Sequence, residues 1–527
     1  MIKLKINGKE KEATPGSTIL DMLKQEGIKV PTMCFLDNSE HFPTCMVCMV
    51  KDQKTNKLVP SCSTHIATGM DIITNDEEVI EARKTALELL LSDHVGECDA
   101  PCQTNCPAFM DIPLMNRLLA EGKFDEALRV VKKDIALPAV LGRICPAPCE
   151  RACRRRNIDE PVSICTLKRY AADHDLEHSN SFIPDVPPSN SKKIGIIGSG
   201  PAGLSAAYFL LQKGYQCVLY EKNPLAGGAL RYAIPDDRLP KEVLDQEIDI
   251  IKKMGAEFIF NYEMPEDGLE KLRKEYDGII VATGEDNTDF SGLEKKNKSF
   301  VTERNTYQTN IEGIFAIGSA IKPGRVAIRA VAHGKEAALT MDQFLTGVTV
   351  LGEEQLFNSK IGRMLEEEYD DFMLEADSAP RNTTKEFEGF TMEQVQKEAA
   401  RCMHCDCRKK FDCKLRDFSG EYDASQKRFF PKERPPVRKV FKHEPLVYEP
   451  EKCIKCSICV RITARYKEEL GLTYIGKGFD VEISASFDND QKNALEKTAL
   501  LCAEKCPTSA LAINKQAEVD AEINKLH

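Results

Sequence analysis

The cysteines of this 527-residue chain are bunched: four lie within 34–62, seven within 98–165, four within 402–413 and five within 453–506, with Cys217 standing alone. Thiols that merely fill a core scatter along a chain. Thiols that ligate gather, because one metal centre needs several at one point. In a secreted chain such numbers would mean disulfides, but the first residues, Met-Ile-Lys-Leu-Lys-Ile-Asn-Gly, alternate like a strand and lack the apolar core of a signal peptide. The expectation is a cytoplasmic protein whose thiols serve metal or redox chemistry. No apolar run approaches the roughly 18 residues that cross a bilayer, so no membrane span is expected. Lys and Arg total 72 against 83 Asp and Glu, which disfavours nucleic acid as a partner.

Met1–Asn7 reads as a strand, Asn7-Gly8 as a hairpin turn and Ser17–Gln25 as a helix. Cys34, Cys45, Cys48 and Cys62 follow. Four thiolates can hold a [2Fe–2S] cluster, and Cys45-x-x-Cys48 lets two sulfurs converge from one loop. A structural zinc site is the alternative, although such sites usually use two tight hooks and only one is present. This segment resembles the [2Fe–2S] domain that opens the large iron–sulfur subunit of complex I and related iron-only hydrogenases.

Next come His94-Val-Gly-Glu-Cys98-Asp-Ala-Pro-Cys102-Gln-Thr-Asn-Cys106, a helical stretch over Met115–Lys132, then Cys145-Pro-Ala-Pro-Cys149-Glu-Arg-Ala-Cys153 and Cys165. Two cubanes need eight ligands, and seven cysteines are available. His94, one helical turn before Cys98, is the candidate eighth ligand, a solvated helix-end histidine being the plainer reading. Arg154, Arg155 and Arg156 are read chiefly as a solvated helix end. The Cys-Pro-x-Pro-Cys-x-x-x-Cys run and Glu160-Pro-Val-Ser-Ile-Cys165 resemble the N-terminal domain of the glutamate synthase small subunit and of dihydropyrimidine dehydrogenase. That resemblance implies one cubane on Cys98, Cys102 and Cys153 and another on Cys106, Cys145 and Cys149. The chain departs from the pattern in having Cys98 alone where the family has a leading Cys-x-x-Cys pair, and Cys165 near the position of a non-cysteine ligand.

After a Pro- and Ser-rich linker, Ser179–Ser191, the run Lys193-Ile-Gly-Ile-Ile-Gly198-Ser-Gly200-Pro-Ala-Gly203 reads as a buried strand opening into a helix. These glycines permit a tight turn, close approach to a pyrophosphate and helix–strand packing. Glu221, ending the next strand Gln216–Tyr220, suits the ribose hydroxyls. Gly228, Arg231 and Arg238 lie in a stretch resembling the flavin-contacting region of the glutamate synthase small subunit. Thr283, Gly284 and Gly318 complete the resemblance, which implies FAD, while Ser319 replaces the family's usual acid. In the resembled enzymes a whole NAD(P)H-binding domain follows Gly284. Here 28 residues separate Gly284 from Gly313, fewer than the ~30 of one βαβ unit.

Glu353–Asp371 and Thr391–Ala400 look helical. Cys402, Cys405, Cys407 and Cys413 then offer four thiols for an iron–sulfur cluster or zinc. Beyond a basic connector, Pro431–Lys442, Cys453-x-x-Cys456-x-x-Cys459 with Cys506-Pro507 is a ferredoxin-type [4Fe–4S] pattern, Cys502 being the alternative fourth ligand. It resembles the later cluster region of the complex I large subunit.

The fold expected is multidomain, α/β and α+β: a [2Fe–2S] ferredoxin-like domain at 1–90, a helical domain with two [4Fe–4S] clusters at 91–185, a Rossmann-like FAD domain at 190–345, a helical linker with a four-cysteine metal site at 346–440 and a ferredoxin-like domain with one [4Fe–4S] cluster at 441–527. Together the resemblances imply an oxidoreductase component with no substrate site of its own. It would carry FAD, one [2Fe–2S] and three to four [4Fe–4S] clusters. It would relay electrons between an NADH-oxidising flavoprotein, with the small [2Fe–2S] subunit of complex I type, and a terminal oxidoreductase or ferredoxin, with electron bifurcation conceivable at the flavin. The alternatives are a self-sufficient NAD(P)H dehydrogenase and a scaffold whose metals only hold the fold.

Overall fold

The computed structural model describes the chain except residues 40–41, 178–180, 286–288, 325, 384–387, 432, 444–445, 486–494 and 514–527, so the linker and connector readings fall partly outside the described residues. It divides into two units, each assembled from segments distant in sequence. One gathers Met1–Asp99, Leu356–Leu374 and Cys405–Glu522, and the other gathers Ala100–Gln355 with Glu375–His404.

The first unit begins with the anticipated hairpin, Ile2–Ile6 against Lys9–Ala13, in a five-stranded sheet completed by Asp71–Ile73, Met49–Asp52 and Lys57–Pro60. Alternation puts Leu4 and Ile6 inside, where they meet Ile19, Met22 and Leu23 of the helix Ile19–Gln25. Thr18 and Asp21 cap that helix reciprocally. At the other end of the sequence, Leu446–Tyr448 pairs with Val440–His443 and Leu511–Ile513. Met33 and Val47 share one core with Leu446, Ile454, Ile462 and Leu472, so the amino- and carboxy-terminal parts of this unit are packed as one body.

In the second unit a wholly parallel sheet runs in the order Ile314–Ala316, Gly278–Val281, Lys193–Ile197, Gln216–Tyr220, Glu257–Ile259. All four residues of Gly278–Val281 are buried, as a strand covered on both faces requires. The helices Pro201–Leu211 and Ala327–Thr346 pack together beside it. A helical layer, including Pro138–Ile144, is tied to this sheet layer by Glu247. Its buried carboxylate accepts from the Ala139 and Val140 backbone N–H groups, both at 2.9 Å, and burial pushes its pKa up to about 7.

Two helix expectations are corrected. Met115–Lys132 is two helices, Ile112–Ala120 and Phe124–Lys132, broken where Gly122 takes φ +75°. Within Glu353–Asp371 only Glu368–Met373 is helical. The Phe357 carbonyl instead accepts from Arg416, the Asn358 side chain from Asp99 N–H, and the Ser359 carbonyl from Cys98 N–H. A backbone held by such tertiary partners has left the helical path. Thr391–Ala400 is the helix Met392–Ala400, with Thr391 and Gln394 as its capping box. Among the described residues no helix is long and apolar enough to cross a membrane.

Candidate functional site

The cysteine loops share a backbone device. Met46 between Cys45 and Cys48, Ala147 between Cys145 and Cys149, His404 between Cys402 and Cys405, and Lys455 and Ser457 between Cys453 and Cys459 all have φ between +46° and +59°. Left-handed non-glycine residues cost energy, and here each sits inside a cysteine hook, where it curls the backbone between successive cysteines.

In the first unit Cys34, Cys45, Cys48 and Cys62 are all buried. Cys48 and Cys62 sulfurs lie 3.1 Å apart. The hydrogen bond with Cys45 holds the Cys34 thiol down to about 4, and that with Cys62 holds Cys48 down to about 7, while Cys62 feels the charge of both Cys34 and Cys45. Four interacting buried sulfurs fit a four-thiolate metal group. At the far end of the sequence Cys453, Cys456, Cys459 and Cys506 line one cavity, and Cys502 is absent from its wall. The Cys502 sulfur instead lies 3.9 Å from the Cys459 carbonyl. Burial raises the pKa of Cys453 to about 11 and of Cys456 and Cys459 as well, a cost that a bound cation would repay. The two sites adjoin: Arg461 donates to the Cys34 carbonyl at 2.6 Å, and Cys456 feels the Cys34 charge.

His94 is buried rather than solvated. Its Nδ1 lies 3.2 Å from the Lys452 carbonyl, so Nδ1 carries the proton and Nε2 keeps its lone pair. Desolvation, aided by the Lys452 charge, lowers its pKa to about 4. Cys98 is brought to Cys407 and Cys413, its carbonyl accepting from Cys407 N–H at 3.0 Å. Cys405 is half-buried beside them in sequence.

In the second unit Lys168 marks a further site. Burial opposes its charge, yet Cys165, Cys145, Cys149 and Cys106 together hold its pKa above the ordinary lysine value. The hydrogen bond from Cys165 lowers Cys145 to about 6, and burial pushes Cys149 up to about 12. Cys165 is therefore grouped with the three cysteines of the second expected cubane. Lys168 was not anticipated, although its position one turn after Cys165 was a readable signal. Cys102 and Cys153 lie on segments that pack together, Pro101–Asn105 and the end of Pro148–Ala152. Arg155, whose side chain is buried rather than solvated, donates to the Arg401 carbonyl at 3.0 Å, bringing the residue before Cys402 to the Cys153 loop.

The dinucleotide loop is built as the glycines require. A Cβ on Gly203 would lie 2.0 Å from the Gly198 carbonyl, and Gly198 itself takes φ +103°. Gly228 approaches Gly200 so closely that a Cβ there would meet its Cα at 2.8 Å. Glu221 ends its strand with Ser199 N–H and Oγ donating to one oxygen (3.1 and 2.5 Å) and Asn223 N–H and Nδ2 to the other (3.0 and 2.8 Å). A ribose hydroxyl would replace one of these side-chain donors. The Thr283 hydroxyl is buried with no hydrogen-bond partner among the described residues, an orphan that a ligand would satisfy. These features fit a bound dinucleotide. Arg231 is committed to Asp245 and the Ala226 carbonyl, Arg238 is exposed, Gly284 takes φ +75°, and Ser319 bonds the Gly324 carbonyl at 3.1 Å. Gly318 N–H donates to His333 Nδ1 at 3.2 Å, a partner that no sequence motif signalled.

Three family models match the chain: a 2Fe-2S iron-sulfur cluster binding domain over residues 1–77, dihydropyrimidine dehydrogenase domain II with its 4Fe-4S cluster over 73–180, and an NAD(P)-binding Rossmann-like domain over 196–258. The chain is thus a multidomain iron–sulfur protein with a Rossmann-like dinucleotide-binding region. It is 35% identical over 254 residues, 47% of its length, to the NADPH-Fe(3+) oxidoreductase subunit beta of Geobacter sulfurreducens, covering 38% of that protein. To the NADP(+)-dependent formate dehydrogenase subunit beta of Moorella thermoacetica it is 36% identical over 42% of this chain and 34% of the relative. To the NAD-dependent dihydropyrimidine dehydrogenase subunit PreT of Salmonella typhimurium it is 39% identical over 35% of this chain and 46% of the relative. The chain spans less than half the length of these curated relatives.

Proposed function

We propose that this chain is an electron-relaying iron–sulfur flavoprotein subunit of a multi-subunit NAD(P)H-linked oxidoreductase. The observation that carries the reading is the adjacency, inside one unit, of the Cys34/Cys45/Cys48/Cys62 site and the Cys453/Cys456/Cys459/Cys506 cavity. Iron–sulfur groups there would supply one-electron steps, and FAD in the second unit would join them to two-electron chemistry. The residues' part is to hold and insulate: the thiols converge, the apolar core around Met33, Ile454 and Ile462 keeps water away, and Arg461 fastens one site to the next. Relatives that are named as oxidoreductase subunits support this reading. So does the shortness of the stretch between Gly284 and Gly313, 28 residues, whose described part includes a small hairpin, Lys295–Lys296 against Ser299–Phe300. The donor would be an NADH-oxidising flavoprotein with its small [2Fe–2S] subunit, both of complex I type, and the acceptor a terminal oxidoreductase or ferredoxin.

A self-sufficient NAD(P)H dehydrogenase is the second reading, favoured by the NAD(P)-binding description of the Rossmann-like match. Mixing the isolated, flavin-loaded chain with NADH or NADPH and an artificial dye separates the two. The relay reading expects slow reduction that accelerates when a complex I-type NADH-oxidising partner is added. Rapid reduction by the chain alone would replace it with the dehydrogenase reading.

A further inference from the structure

Three stretches far apart in sequence meet at Cys98. Its N–H donates to the Ser359 carbonyl (3.4 Å), its sulfur lies 3.4 Å from Ser359 Oγ, and its carbonyl accepts from Cys407 N–H (3.0 Å). Asp99 is held by Arg416 at 2.6 Å, and Arg416 also donates to the Phe357 and Lys410 carbonyls, both partners of this ion pair being buried. Arg416 follows Cys413 by three residues, so the same bonds that fix Cys98 fix the loop carrying Cys407 and Cys413. All three thiols are buried.

Buried ion pairs surround these thiols. Arg416, Lys410 and Lys452 are buried, and Lys452 feels the charge of Cys407. Lys410 is matched by Asp406, Lys452 by Glu449 and Arg416 by Asp99, while Arg416 also acts on Cys98 and Lys452 on Cys407. Buried thiols gathered in this way suit a metal group, whose positive charge would stabilise them as thiolates. The Cys413 sulfur lies 3.9 Å from the Pro507 carbonyl, and Lys409 donates to the Cys506 carbonyl at 3.0 Å, so this group of thiols adjoins the carboxy-terminal cavity at its Cys506 arm. Cys456, in the same cavity, neighbours Cys34.

We propose that Cys98, Cys407 and Cys413 are three ligands of one further iron–sulfur cluster, drawn from both sides of the second unit in sequence. Resting on the relay reading, the proposal makes the cavity of Cys453, Cys456, Cys459 and Cys506 the middle of three centres in the first unit. Iron is assigned over zinc because the thiols adjoin a ferredoxin-type site, where a redox-inert ion would end the path.

The test uses the whole chain, purified without oxygen and loaded with its clusters. Stepwise ferricyanide oxidation with iodoacetamide trapping, mapped by mass spectrometry, is expected to expose Cys98, Cys407 and Cys413 together, with loss of iron and sulfide. Cys98→Ser and Cys413→Ser are each expected to erase the same paramagnetic resonance signal and leave the others. The assignment is overturned if Cys98 is exposed together with Cys102 and Cys153 while Cys407 and Cys413 stay protected. It is equally overturned if the three thiols are freed together with zinc and no iron, or if the two variants erase different signals. Should a variant fail to fold, the trapping result on the unsubstituted chain decides. A chain holding no iron at all would defeat the relay reading itself, whereas a full iron complement with other thiol groupings would defeat only this assignment.

Discussion

Lys168 gives the sharpest measurable consequence. Its ammonium is buried among Cys106, Cys145, Cys149 and Cys165, whose combined charge outweighs the desolvation of the lysine. Lys168→Met removes that positive charge while keeping a long apolar stem. For a charge roughly 6 Å from the electron it stabilises, with an effective dielectric constant of about 20, Coulomb's law gives roughly 2.8 kcal/mol. At about 59 mV per tenfold change for a one-electron couple, that is a potential lower by about 120 mV. The sign is fixed: losing a cation disfavours the more negative, reduced form. A redox titration followed by electron paramagnetic resonance should show one cluster signal displaced to lower potential and the remainder unmoved. A variant whose signals all titrate at the unsubstituted potentials would refute the assignment of those four thiols to one redox centre.

Arg401 and Glu398 form a fully buried ion pair, with Arg401 also bonded to Asp159. Arg401→Ala should lose about 3–5 kcal/mol, because Glu398 is left charged and unpaired, and urea unfolding would read it as a lower midpoint. Gly203→Val should abolish flavin retention on purification, since even a Cβ would lie 2.0 Å from the Gly198 carbonyl; normal visible flavin absorbance in that variant would count against the site. Burial, with Lys322 and Arg329 nearby, depresses the His333 pKa from 6.5 to about 4. The unfolded chain therefore binds the extra proton first, and stability present above pH 6.5 should decline towards pH 4. His333→Gln should flatten that part of the thermal-denaturation profile, and an unchanged acid slope would show that other groups carry it.

The sequence was most legible where chemistry is local. The Cys45-x-x-Cys48 and Cys453-x-x-Cys456 hooks announce sulfur pairs because a short curled loop decides their spacing, and the strand–glycine–helix run at Gly198 is a complete local unit. It was least legible where one hook must find another. Nothing near Cys98 tells that its neighbour is Cys407, since that pairing is written in Ser359 and Arg416, residues from other stretches. The same bonds undo the helix expected before Glu368: periodicity reports which side chains are apolar, not which backbone groups a distant arginine will claim. Lys168 and His333 escaped notice because burial and enclosure are tertiary properties, invisible in a residue's immediate neighbours along the chain.

The interleaving of the two units has a temporal side. Asp99 ends the first segment of its unit, and Cys405 begins the last. At about 5–20 residues per second, translating the roughly 300 residues between them takes on the order of 15–60 s. During that interval Cys98 has been synthesised and Cys407 has not, so a nascent polypeptide emerging from the ribosome must shelter a reactive sulfur until its companions arrive.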